Sequence, residues 1–218
     1  MISVRDLTFA YKADGFSLRV GELAFGPGER VAVVGPSGCG KTTLINLLCG
    51  ILVPDIGVIT FKNIDIAKLP YEDRQDFRAV KMGLVFQEFE LLDYLNVFEN
   101  ILLPYRINQI LTLNGTVRQR ARRLAEDVGL GGKLLRFPGR LSQGERQRVA
   151  VCRAMISQPA IIFGDEPTGN LDPQNRDQVM EILFNYSAAS AAPLIVVTHD
   201  AELQGRFDRT INIQEFAP

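Results

Sequence analysis

The sequence predicts an α/β domain: a parallel sheet flanked by helices, with a small antiparallel β region and an inserted helical subdomain. Three observations carry that expectation. The runs RVAVVG (30–35), MGLVF (82–86), AIIFGD (160–165) and LIVVT (194–198) are short, continuous and rich in β-branched residues, as strands buried on both faces are. Helical patterns intervene at Lys41–Cys49, Asn96–Ile107, Val117–Val128, Glu145–Ser157 and Pro173–Ala189. Finally, the segments Ile2–Phe9, Ser17–Phe25 and Val58–Phe61 are bounded by turn residues, which suits antiparallel strands. One domain over residues 1–218 is expected, with a core from 1–87 and 159–218 and a mainly helical subdomain over 88–158.

Bulk properties narrow the function classes. With 218 residues, 46% of them apolar and 22% charged, the chain can bury a full core as one globular unit. A formal net charge of −1 offers no basic footprint, so a nucleic-acid partner is not expected. The three cysteines, Cys39, Cys49 and Cys152, are odd in number and lack CxxC spacing, which argues against a disulfide framework or a zinc site and fits a reducing, cytoplasmic setting. The start, MISVRDLTFAYKADG, lacks the basic-then-apolar pattern of an export signal. Apolar runs such as LIVV fall far short of the ~18 residues that span a bilayer, so no direct membrane insertion is expected.

The chemistry begins at Gly35-Pro36-Ser37-Gly38-Cys39-Gly40-Lys41-Thr42-Thr43, which fits G-x-x-x-x-G-K-[ST] between a strand and a helix, the context a phosphate loop requires. Its glycines let the backbone curl so that N–H groups face phosphate oxygens, and the helix start favours the negative charge. Lys41 is then placed to bridge β- and γ-phosphates and the Thr42 hydroxyl to hold Mg²⁺. Asp165, ending an apolar strand, can orient the metal shell, and Glu166 beside it can polarise an attacking water. His199, the only histidine, follows LIVVT, where open α/β sheets bind ligands, and could hydrogen-bond a γ-phosphate.

These residues, taken in order, resemble the ATP-binding subunits of ABC transporters over essentially the whole chain, with a P-loop, RecA-like core. The resemblance implies ATP and Mg²⁺ as cofactors, Tyr11 as the aromatic that stacks on adenine (Phe9 is the competitor), and Gln87 as a contact to the metal and water. It also implies LSQGE (141–145) as the signature, Asn170-Leu171-Asp172 as a dimer-contacting loop and His199 as the switch histidine. FQEFELLDYLNVFENILLP and DEPTGNLDP resemble the subgroup serving lipoprotein release, macrolide export and cell division. The partners implied are a second copy on ATP binding and a transmembrane permease that would hold the chain at the cytoplasmic face of the inner membrane. The alternative is a cell-division type ATPase that signals through a membrane partner without transport. Chromosome-maintenance relatives would carry a long coiled coil or zinc insertion in the helical region, which this sequence lacks.

The signature has a local reading and a functional one. Ser142-Gln143-Gly144-Glu145 is an S-x-x-E capping box, which by itself makes only a well-capped helix. The same helix start, with Gly144 allowing close approach, can bind phosphate, and in the family it meets the ATP of the other subunit. Gln143 and Glu145 depart from the usual LSGGQ, and the glutamate adds negative charge near a γ-phosphate.

Overall fold

A computed structural model describes residues 2–11 and 15–216. The chain opens with β1 (Ile2–Ala10), β2 (Ser17–Phe25) and β3 (Arg30–Val34), then α1 (Lys41–Leu48), β4 (Ile56–Phe61) and β5 (Ile64–Asp65). It continues through α2 (Tyr71–Lys81), β6 (Met82–Phe86), α3 (Val97–Ile107), α4 (Gly115–Asp127) and α5 (Gln143–Met155). The last stretch holds β7 (Ile161–Asp165), α6 (Pro173–Ser190), β8 (Leu194–Val197), α7 (Ala201–Gln204) and β9 (Arg209–Asn212).

Two sheets result. The antiparallel one runs β2-β1-β4-β5; the other runs β6-β7-β8-β3-β9 with every neighbouring pair parallel. Side chains of the parallel strands alternate between two cores. Val31, Val33, Ile161, Phe163, Ile195 and Val197 join α1 and the antiparallel sheet in one, while Val85, Ile162, Leu194 and Val196 join Val179, Met180 and Leu183 of α6 in the other. Each such side chain, fully withdrawn from water, contributes about 1.5–3 kcal/mol. A third core lies among α3, α4 and α5 and contains Ile101, Leu102, Ala121, Ala125, Val149 and Cys152. Helix α5 belongs to two cores at once, because Val151, Ala154 and Met155 face the sheet while Val149 and Cys152 face the helices.

Local signals set the helix starts. Asn96 caps α3 and Ser142 caps α5, each in a complete capping box; Asn114 caps α4 and Asp172 caps α6. The fully buried Asn100 accepts from Leu92 N–H and donates to the carbonyls of Leu92, Leu95 and Asn96, which fixes the loop ahead of α3. Four elements escaped the sequence reading: β5, α2, α7 and β9. Helix α2 buries none of its residues and so has no apolar stripe to read. All three cysteines are free, and burial pushes the Cys152 thiol up to about 12.

Strand β9 is held to β3 partly by an ion pair. Arg30 Nη2 and Nε lie 2.6 and 3.2 Å from the two Asp208 carboxylate oxygens, and Arg30 N–H also donates to Asp208. Arg30 thereby holds the Asp208 carboxyl below the usual carboxylate range. A depressed pKa stabilises fully above the unfolded-state value of about 3.9 and loses that effect as pH falls through the folded value. Asp208→Asn is expected to lower stability at pH 7 by about 1 kcal/mol or less, since the pair is exposed. Thermal unfolding between pH 7 and pH 3.5 checks this: the gap between the two proteins should be constant above about pH 4.5 and shrink below.

Candidate functional site

Strand β3 lies between β8 and β9, and its carboxyl end opens directly into residues 35–40 and α1. Two glycines are sterically required. A β-carbon on Gly35 (φ +149°) would fall 2.6 Å from Ile213 Cγ2, and one on Gly40 (φ +99°) would fall 2.3 Å from the Phe16 ring. Gly40 is the N-cap of α1 and supplies no side-chain cap, and the first turn carries no acidic residue. The leading N–H groups of α1 are therefore left for an anion. Lys41 is buried, with Nζ donating to Gly35 O (2.9 Å) and Pro36 O (2.7 Å), so its ammonium lies across the mouth of the loop. The Cys39 thiol donates to Pro36 O at 2.8 Å.

The loop borders a cleft of about 380 Å³, lined by Ser37, Gly38, Gly40 and residues 41–43 together with Tyr11, Phe16 and Glu166. Tyr11 stands edge-on to Phe9 (4.9 Å between centroids), and its hydroxyl is 3.4 Å from Thr43 Oγ1. Phe9 is core, whereas Tyr11 is 36% exposed at the cleft. Phe16 shares the lining; its role at Gly40 depends on a contact remote in sequence, so no local pattern announced it.

Sheet register gathers the remaining groups. Phe86 pairs with Asp165 and Asp165 with Val197, so Gln87, Glu166 and His199 follow the carboxyl ends of three neighbouring strands. Burial raises the Asp165 carboxyl; a Thr42 hydrogen bond and the Lys41 charge oppose this, while Glu166 adds to it. Glu166 sits at φ +48°, donates its N–H to Val197 O (3.1 Å), and lies 3.0 Å from His199 Nδ1 through Oε2. Gln87 Nε2 donates to Asn170 Oδ1 at 3.3 Å, which ties the end of β6 to the loop ahead of α6. The sequence reading missed Gln147. It is fully buried and donates to Phe86 O (3.1 Å) and to Pro167 O, so α5 is tied to the roots of both Gln87 and Glu166. Arg176 was missed as well; it borders the Glu166–His199 pocket and pairs with Asp200 and Glu202.

At the signature, Glu145 N–H donates to Ser142 Oγ (3.2 Å) and Ser142 N–H donates to Glu145 Oε2 (2.9 Å). Lys133 pairs with Glu145. Burial works to raise the Glu145 carboxyl, but hydrogen bonds from Lys133 and Ser142 N–H and the charges of Lys133 and Arg148 outweigh it and hold it below the usual range. The extra negative charge expected there is thus neutralised and turned back into the cap. The space of Gly144's missing side chain is filled by Asn175 of the same chain, whose Oδ1 would lie 2.0 Å from an added β-carbon. Among the described residues lining the phosphate-loop cleft, none comes from 141–145.

A phosphate loop at the carboxyl edge of a parallel sheet, beside paired carboxyl groups, defines a P-loop nucleotide hydrolase fold. The family profile described as ABC transporter matches residues 18–169, and the chain belongs to that family as an ATP-binding, ATP-hydrolysing subunit. It is similar to the lipoprotein-releasing system ATP-binding protein LolD of Pseudomonas fluorescens, 38% identical over 218 residues that cover 99% of this chain and 95% of the relative. The LolD protein of Syntrophus aciditrophicus is 37% identical, covering 99% and 97%. Among solved structures, a dimeric post-hydrolysis state of the ATP-binding cassette MJ0796 bound to ADP and Pi superposes with a TM-score of 0.86 at 30% identity, over 97% of this chain and 94% of that one.

Gly40→Ala is expected to destabilise the fold by about 2–4 kcal/mol, combining left-handed strain with overpacking against Phe16, and to abolish ATP binding. Adding Phe16→Ala should return part of the lost melting temperature by freeing the space. No recovery would mean that the ring is not the obstacle.

Proposed function

We propose that this chain is the ATPase of a lipoprotein-release type ABC transporter, in which two copies close head to tail around two ATP molecules and drive a separate transmembrane permease. The observation that carries the reading is the incompleteness of the cleft. The phosphate loop and Glu166 line one cleft, while Ser142 and Gly144 stand outside that lining at the start of a different helix. A second copy supplies them. The similarity to LolD proteins over nearly their full length supports lipoprotein release over cell-division signalling.

In this reading Tyr11 stacks on adenine, the loop N–H groups and Lys41 hold the β- and γ-phosphates, and Ser142, Gly144 and Asp172 approach from the other copy. Thr42, Asp165 and Gln87 would hold Mg²⁺. The donor set fits, since the Thr42 hydroxyl in the first turn of α1 and the Asp165 carboxylate at the end of β7 are oxygen donors, and magnesium takes few protein oxygens beside phosphate and water. When bound, the ion offsets charge developing on the phosphate oxygens. Glu166 accepts a proton from the attacking water, and His199, within hydrogen-bond reach of Glu166, orients it.

Residues 88–158 act as the moving helical subdomain, with Gln87 as its link to the site. A groove of about 530 Å³ where α2, β6, α3 and α5 meet is lined by Arg78, Leu84, Leu103, Ile107 and Arg153 among others, and is where the permease docks. Arg153 donates to Phe89 O (2.6 Å), so a partner seated there bears directly on the segment after Gln87. No helix among the described residues is long and apolar enough to cross a membrane; attachment at the cytoplasmic face runs through the permease.

Glu166→Gln keeps shape and removes the base. Turnover should fall by at least about 100-fold while ATP binding persists, and the protein should collect as an ATP-dependent dimer on size-exclusion chromatography. Near wild-type turnover would remove Glu166 from the role. Mixing Lys41→Ala with Ser142→Arg, each inactive alone, tests the shared site. One site in the mixed dimer is intact, so hydrolysis or tagged, ATP-dependent pairing should return; if neither does while both proteins stay folded, Ser142 serves no partner site.

A further inference from the structure

The face offered to the second copy is built from two remote pieces of chain. Ser142 and Gly144 open α5, whereas Asp172 caps α6. One side chain in the first turn of α6 spans them. Asn175 Oδ1 accepts from Arg148 Nη1 (2.9 Å), Asn175 Nδ2 donates to Asp172 Oδ2 (2.6 Å), and Asn175 N–H donates to Asp172 Oδ1 (3.1 Å). Arg148 is fixed in turn by Gln178 Oε1 at 2.9 Å, one turn further along α6.

The same amide is pressed against the signature backbone. A β-carbon on Gly144 would fall 2.0 Å from Asn175 Oδ1 and 2.3 Å from its Cγ, so the glycine admits the amide and the amide fills the glycine's space. The chemistry at this point is restrictive. The bridging group must accept from a guanidinium on one side and donate to a carboxylate on the other, and a primary amide does both. A carboxylate would repel Asp172; a methyl would leave Arg148 and Asp172 without this partner. The Asp172 carboxyl is held below its usual range first by the Asn175 side chain and then by the Asn175 N–H.

We propose that Asn175 is a positioning residue of the half-site: it locks the Ser142–Gly144 helix start and Asp172 into one unit, so that both reach the other copy's nucleotide together. This rests on the head-to-tail reading given above. Asn175 touches no nucleotide of its own chain's cleft, so its loss should leave ATP binding to the single copy intact and weaken closure instead.

The test uses the full chain carrying Glu166→Gln, with two readouts: affinity of the dilute monomer for a fluorescent ATP analogue, and the ATP concentration giving half-maximal dimer by light scattering. Adding Asn175→Ala should leave the first unchanged and raise the second about tenfold or more, as expected for losing hydrogen bonds to charged groups. Asn175→Asp should raise it further. Combining Asn175→Asp with Asp172→Asn exchanges amide and carboxylate and keeps a good N-cap: the bond between the two side chains returns with donor and acceptor reversed, while Arg148 and the residue 175 N–H donate as before. That pair should form dimer at a midpoint within about threefold of Asp172→Asn alone, which carries whatever Asp172 itself contributes at the other copy's nucleotide, given the scatter of cap energies. A purely structural role would not give such rescue at constant melting temperature. Dimer formation by the Asn175→Ala variant at the parent's ATP concentration overturns the inference alone, as does an Asn175→Asp change that costs as much on the Asp172→Asn background as on the parent. A Glu166→Gln parent that stays monomeric at every ATP concentration overturns the head-to-tail reading and this inference with it.

Discussion

A parallel sheet covered on both faces leaves its inner strands β7, β8 and β3 almost no contact with water, and the rest of the molecule follows from that constraint. Polar groups cannot be placed along such strands, so they collect where the strands end. Asp165 is the last residue of β7 and is already half withdrawn; Gln87, Glu166 and the phosphate loop lie beyond the ends of β6, β7 and β3. The apolar walls also decide the electrostatics of the site. Burial raises the Asp165 carboxyl, and only the Thr42 hydroxyl and the Lys41 ammonium push the other way.

Helix α5 transmits this order outward. Its residues are shared between the sheet core and the helical core, and Gln147 sets an amide against the carbonyls of Phe86 and Pro167. A shift of the signature helix therefore strains the roots of Gln87 and Glu166. The buried amide nitrogen of Gln147 would be costly to leave unpaired, so its two bonds hold one geometry.

What could be read from the sequence was whatever is local. The β-branched runs marked β3, β6, β7 and β8, and the S-x-x-E spacing at 142–145 marked the capping box observed at α5. Elements held by tertiary contact were not legible. The run RTIN of β9 is too short and polar to announce a strand, and becomes one by pairing with β3 in register Val33 to Ile211. Helix α2 packs through Phe77 against Phe61, and its sequence YEDRQDFRAVK otherwise gives no periodic stripe. At the site, the loop residues and Asp165 follow from spacing, but Phe16 against Gly40 and Asn175 against Gly144 join segments far apart in the chain.

The pairing of Lys133 with Glu145 has a bearing on how this sequence can drift. The carboxylate is tolerable at the signature because an ammonium from a glycine-rich turn earlier in the chain cancels it and the capping geometry holds it. Losing Lys133 alone would leave the carboxylate at the start of α5 with only the Ser142 N–H and the charge of Arg148 to hold it, whereas losing Lys133 and Glu145 together would not disturb the charge balance. The two positions therefore constrain each other: a neutral residue at 133 suits a neutral residue at 145, and a carboxylate at 145 calls for a basic neighbour.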